Sequence, residues 1–102
     1  MPVDILEFDF TVQPYTQPAT VEIAANCNVF MAINVGAVGS TAASVNGFPI
    51  NAPLAVGTNG EAFIMGGNKG EIMKRKTIDL AFPLGIAGVR VLIVQKFYIN
   101  LK

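Results

Sequence analysis

Apolar and polar residues alternate along most of the chain with a period of two, which turns one face of a strand to a core and the other to water. Leu6, Phe8, Phe10 and Val12 alternate with Glu7, Asp9 and Thr11 and predict a first strand. After breaks at Pro14 and Pro18, Val21, Ile23 and Ala25 alternate with Thr20, Glu22 and Ala24 and predict a short second one. In the third, Val29, Met31, Ile33 and Val35 are expected to face the core, opposite Asn28, Phe30, Ala32 and Asn34, where Phe30 is a misfit. Residues 36–44 are small and uncharged and read as a loop or a loosely paired strand. Asn46-Gly47 between Val45 and Phe48 predicts a hairpin tip, because a type I′ turn needs positive φ at both central residues. Pro49 and Pro53 confine residues 49–53 to a sheet edge or an irregular crossing.

Glu61 to Met65 predicts another short strand, followed by a turn at Gly66-Gly67-Asn68-Lys69-Gly70 and an extended Glu71-Ile72. Ile78, Leu80 and Phe82 alternate with Thr77, Asp79 and Ala81 up to a break at Pro83-Leu84-Gly85. A long terminal strand carries Val89, Val91, Ile93, Phe97, Ile99 and Leu101 on one parity, and Arg90, Leu92, Val94, Lys96, Tyr98, Asn100 and Lys102 on the other. Its middle is apolar on both sides, as in a strand that is central in a sheet or covered by another subunit. No window shows helical spacing free of Gly, Pro or β-branched runs. The chain therefore predicts one all-β domain over residues 1–102, an antiparallel β-sandwich of seven or eight strands, jelly-roll or immunoglobulin-like. The predicted core is Phe8, Phe10, Val21, Ile23, Met31, Ile33, Leu80, Phe82, Val91 and Ile93.

Composition adds a statement about the surface. Only 14% of the 102 residues are charged, seven basic against seven acidic, while 52% are hydrophobic. A monomer of this mass exposes roughly 5,500 Å², so each charge must serve about 400 Å², nearly twice the usual share. Neutral surfaces of this kind associate. The start Met1-Pro2-Val3-Asp4 has neither the basic residues nor the apolar run of a secretory leader, and none is expected. Residues 23–60 carry no charge, but Asn26, Asn28, Asn34, Gly36, Gly39 and Pro49 interrupt every stretch long enough for a spanning helix, so no membrane partner is expected.

Candidate chemistry is sparse. The chain has no His, so Ser-His and Cys-His nucleophilic pairs cannot be assembled within it, and its single Cys27 has no partner for an internal disulfide. A lone thiol suits a reducing compartment. Glu7 with Asp9, and Glu61 with Glu71, are carboxylate pairs that read as solvated strand and turn residues. Asn59, Glu61, Asn68 and Glu71 are oxygen donors of the kind calcium prefers, without the regular Asp spacing of a calcium loop. Gly36 to Thr41 lacks the Lys of a phosphate-binding loop. Lys74-Arg75-Lys76 reads as a guarded strand edge in a chain of zero net charge, and nucleic acid is not expected as a partner. No catalytic, cofactor or metal site is expected. Tyr15, Tyr98, Phe30 and Phe48 are the aromatics that read as exposed, fit either for stacking on a glycan or for anchoring a subunit interface.

The succession Val45-Asn46-Gly47-Phe48-Pro49-Ile50, Gly66-Gly67-Asn68, Glu71-Ile72, Ile78-Asp79-Leu80-Ala81-Phe82 and Val91-Leu92-Ile93-Val94 with Tyr98 resembles small β-sandwich virion proteins of tailed bacteriophages. These are capsid-decorating or fibre-associated subunits, and the likeness covers roughly residues 20–100 as a pattern of strands and turns. It implies a non-enzymatic subunit, often trimeric, that docks on a capsid or tail; it transfers no functional residues. Together with the low charge it sets the expectation of a homo-oligomer, trimer favoured, bound to other virion proteins in a particle assembled in the host cytoplasm. Phe30, Phe48, Leu92, Val94 and Tyr98 are the candidate interface anchors. A carbohydrate-binding module, with a glycan as partner, is the alternative.

Overall fold

The computed structural model describes residues 7–74, 76–82 and 88–99. Leu6, Arg75, the predicted break at Pro83-Leu84-Gly85, and Asn100, Leu101 and Lys102 of the predicted terminal strand lie outside the described residues. Eight strands follow in order: β1 (Phe8–Tyr15), β2 (Ala19–Glu22), β3 (Cys27–Asn34), β4 (Ala43–Val45), β5 (Phe48–Ile50), β6 (Ala62–Gly66), β7 (Thr77–Ala81) and β8 (Val91–Tyr98). They form two four-stranded antiparallel sheets, β1-β8-β3-β6 and β2-β7-β4-β5, so the chain is an all-β sandwich. Within these orders β1 pairs with β8, β2 with β7, β3 with β6 and β4 with β5. The pairing is nested, like one long hairpin rolled up and laid across two layers.

The hairpin tip falls where Asn-Gly predicts it: Asn46 and Gly47, between β4 and β5, have φ of 49° and 87°. The Asn46 side chain also accepts the Asp79 N–H at 2.8 Å, fastening the tip to β7. Pro49 lies in β5, at the end of its sheet, where a missing N–H is tolerated. β8 is central, between β1 and β3, which accounts for apolar residues on both its parities. The interior between the sheets holds Val21, Phe30, Val45, Ile50, Ile78, Leu80, Val91 and Ile93, all buried.

Two expectations about the core are overturned. On β3 the facing is reversed: Phe30, Ala32 and Asn34 are buried, whereas Met31 and Ile33 are only half-buried on the other side. The cause is hydrogen bonding. Asn34 donates to the Ile50 carbonyl at 3.0 Å and accepts the Gly36 N–H at 3.0 Å, so it is satisfied indoors and links β3 to β5 of the opposite sheet. Asn28 donates to the Asn68 and Glu71 carbonyls at 2.7 and 2.8 Å, and a bulge between Cys27 and Val29 turns the lower end of the strand. Buried Gln95 on β8 does the same work, donating to the Glu22 carbonyl and accepting the Ala24 N–H. The second correction concerns Phe8 and Phe10, which are exposed. β1 ends its sheet, its apolar side chains lie on the side away from the second sheet, and Asp9, Thr11 and Gln13 on its other side are exposed as well.

Candidate assembly interface

The outward face of the β1-β8-β3-β6 sheet can be read directly from strand register, since residues paired across antiparallel strands share a face. Val12 pairs with Val94, Val94 with Met31, and Met31 with Ile64, making an apolar row across all four strands. The next row runs Pro14, Leu92, Ile33 and Ala62, again wholly apolar. The row on the other side runs Phe10, Lys96, Val29 and Gly66. Lys96 is the single charge in the three rows, and its Nζ rests 4.0 Å over the Phe8 ring, a cation–π contact that draws it to one end of the face. Phe8 and Phe10 pack edge to face with centroids 5.5 Å apart. Val12 and Ile64, at opposite margins of the sheet, are 57% and 59% exposed, while Met31, Ile33, Leu92 and Val94 between them are half-buried by their neighbours.

Three eight-residue strands and the five-residue β6, rising about 3.3 Å per residue and spaced about 4.8 Å apart, give this face roughly 450 Å² in projection. That is in the range of the largest apolar patch on a monomer, where such patches are commonly functional. Nothing among the described residues covers it.

The five candidate anchors separate accordingly. Leu92 and Val94 lie together at the centre of the outward face. Phe48 is 62% exposed but sits on β5 of the other sheet, with its ring 5.6 Å from Phe63. Phe30 and Tyr98 are corrections: both are buried and cannot anchor a contact outside the chain. Phe30 fills the core because β3 is turned over. Tyr98 is closed in by the loop between β6 and β7, whose Gly70 N–H donates to its hydroxyl at 2.9 Å. Of the aromatics considered for stacking on a glycan, Tyr15 is half-buried and only Phe48 is exposed. Sequence reasoning missed Phe8, Phe10, Val12, Met31, Ile33 and Ile64 as surface residues. Their alternation was visible, but alternation alone does not say which side is indoors.

The chemical candidates do not converge. Asn59 and Glu61 precede β6, while Asn68 and Glu71 follow it, so the oxygen donors considered for calcium stand about 17 Å of strand apart. Glu61 is engaged locally, accepting the Asn51 N–H at 2.8 Å, and Asp9 accepts the Phe10 N–H at 2.8 Å. Cys27 is buried, and desolvation pushes its thiol pKa up, with a backbone hydrogen bond at Val29 acting in the other direction. A thiol held neutral is a poor nucleophile. A shallow cleft by the loop of residues 51–60 is lined by Ser40, Asn51, Pro53, Thr58 and Glu61, and the loop tip carries Leu54 and Val56, which are 91% and 92% exposed. Among the described residues no helix is long and apolar enough to cross a membrane. No family model, curated protein or solved structure matches the chain.

Proposed function

We propose that this chain is a non-enzymatic assembly subunit that works by burying the outward face of its β1-β8-β3-β6 sheet against a second copy of itself and against a larger particle. The observation that carries the reading is the set of apolar rows through Val12, Val94, Met31 and Ile64 and through Pro14, Leu92, Ile33 and Ala62. A sheet face of this composition in water wastes hydrophobic free energy, whereas one covered by protein contributes about 25 cal/mol per Å² removed from solvent, before association entropy is subtracted. The nested strand order is the one we read as a jelly roll, an architecture common in capsid domains. With the pattern-level resemblance to phage decoration and fibre-associated subunits, it supports a virion setting for the particle.

The test is sedimentation velocity at tens of micromolar, comparing the native chain with the Ile64→Lys, Leu92→Lys double variant. Both substitutions lie on β6 and β8, on the outward face, and leave the core untouched. The native chain is expected to self-associate and to bind phage particles, and the variant to keep its circular-dichroism spectrum but lose the contacts made through the sheet face, running at most as a dimer. A native chain that stays monomeric and fails to bind purified phage particles overturns the proposal.

A further inference from the structure

The ladder between β1 and β8 fixes which backbone groups of β1 point away from the sheet. Ile99 donates its N–H to the Glu7 carbonyl at 3.0 Å, and Phe8 is registered with Tyr98. Hydrogen-bonded pairs recur at every second residue of an antiparallel ladder. Asp9, Thr11, Gln13 and Tyr15 therefore spend their backbone groups on β8, and Phe8, Phe10, Val12 and Pro14 point theirs away from it. The other side of β8 agrees: Tyr98 donates to Asn26 and Arg90 accepts from Val35, so its even-numbered residues serve β3. Pro14, which has no N–H, falls in the outward set, the one place in β1 where it costs no ladder bond. Among the described residues no strand lies beyond β1.

We propose that this edge pairs with the same edge of a second copy, antiparallel about a twofold axis at Thr11, joining two four-stranded sheets into one of eight. The inference rests on the reading of the chain as an assembly subunit and names its partner and geometry. The edge is complementary to itself. With Thr11 opposite its own symmetry mate, Phe10 lies across from Val12 and the two exchange both backbone bonds, twice by symmetry, while the Phe8 N–H reaches the Pro14 carbonyl. Phe8, Phe10, Val12 and Pro14 of both copies then fall on one side, so the two apolar faces run on without a step. A slip of one residue would set those faces on opposite sides of the joined sheet. Asp9 meets Gln13 of the partner subunit, so no like charges are opposed. The Phe10 N–H must leave the Asp9 carboxylate that now holds it, and that carboxylate gains the facing amide in exchange.

Size points the same way. One outward face offers roughly 450 Å² in projection, and two joined edge to edge offer about 900 Å², so pairing doubles the continuous apolar area that a larger particle can cover. Since the polar side of β1 is exposed too, a second sheet can approach without meeting the β2-β7-β4-β5 layer.

Disulfide trapping tests the register. Residues facing each other at a non-hydrogen-bonded position have Cα atoms about 4.5 Å apart, inside the window a disulfide accepts. Thr11→Cys is expected to form covalent dimers under mild oxidation at least tenfold faster than Gln13→Cys, whose symmetry mate would lie four residues further along the strand. The native chain, with Cys27 buried, is the background. Val12→Pro removes an outward N–H without touching the β8 ladder and is expected to weaken dimerisation at least tenfold at unchanged secondary structure. Equal trapping at residues 11 and 13, or a trimer indifferent to Val12→Pro, overturns edge pairing. If association is nonetheless lost in Ile64→Lys, Leu92→Lys, burial of the sheet face stands without it; a monomer throughout sinks both.

Discussion

Asn34 and Met31, three residues apart on β3, give opposite answers depending on which way the strand faces, and the outward apolar face exists only if Asn34 is indoors. Replacing Asn34 by Ala removes the donor to the Ile50 carbonyl and the acceptor for the Gly36 N–H, both at 3.0 Å. Leaving a buried backbone group without a partner costs about 1–3 kcal/mol, so the pair comes to about 2–4 kcal/mol once the partial exposure of Gly36 is allowed for. Domains of this length are stable by only about 5–15 kcal/mol, and each kcal/mol moves the melting temperature about 4–8 °C. Asn34→Ala should therefore melt about 10–25 °C lower. Met31→Ala, on a half-buried face, should cost under about 1.5 kcal/mol, well below the 2–5 kcal/mol of a core methionine. Urea unfolding followed by circular dichroism, at low micromolar protein where association adds nothing, measures both. A larger loss for Met31→Ala than for Asn34→Ala would refute the facing of β3 and with it the assembly face.

Gly66→Ala should destabilise by more than about 2 kcal/mol, because Gly66 has φ of 82° and an added methyl would collide with the Asn28 carbonyl oxygen; the denaturation midpoint reads it. Tyr98→Phe loses the hydroxyl that accepts the Gly70 N–H and should cost about 1 kcal/mol, with faster amide exchange at Gly70 as its local signature. Burial raises the Cys27 thiol pKa, so folding holds that proton more tightly than the unfolded chain does. The resulting stability is complete below the pKa of the unfolded thiol, near 8.5, and is lost as pH climbs through the higher folded value. Melting curves across the alkaline range should show that loss in the native chain and a shallower one in Cys27→Ala. Leu54→Ser with Val56→Ser should leave stability within about 0.5 kcal/mol, as expected of a loop tip in water, and a larger drop in a thermal melt would mean the tip is packed.

The strands were legible because period-two alternation and turn chemistry are local: Asn46-Gly47 fixes a hairpin tip wherever it occurs, and the two apolar parities of β8 announce a central strand. Which side of a strand faces inward is not local. In β3 the two readings differ only in whether Asn28 and Asn34 find partners. Those partners are backbone groups at Ile50, Asn68 and Glu71, 16 to 43 residues away and meaningless until the sheets have closed. The same ambiguity applies to Phe8 and Phe10, which alternation alone assigns to the core although both are exposed. Clean alternation on β1 marks a strand with an apolar side, and says nothing about whether that side is met by the second sheet or by another molecule. The outward facing of Leu92 and Val94 is legible because the terminal strand carries apolar residues on both parities, so one set has to face out. Tyr98 failed on that reasoning because a loop folds over it.

The distribution of polarity that results is the reverse of what a solitary sandwich would use. Asn28, Asn34 and Gln95 are sealed inside with their amide nitrogens donating across elements, while Val12, Met31, Ile33, Ile64, Leu92 and Val94 take positions toward water. Each inward amide gives up solvation that its hydrogen bonds only offset, and each outward aliphatic gives up burial it would have had on the other parity. A chain stabilised as a monomer gains by exchanging the two sets. The arrangement is coherent when the outward face is also dry, because both sides of the β1-β8-β3-β6 sheet are then interior and the amides serve to hold the two layers in one register. The β1 edge carries the same logic from layers to copies: where the Phe10 and Val12 backbone groups point away from β8, the proposed partner sheet continues the ladder, and the face it covers doubles in the same step.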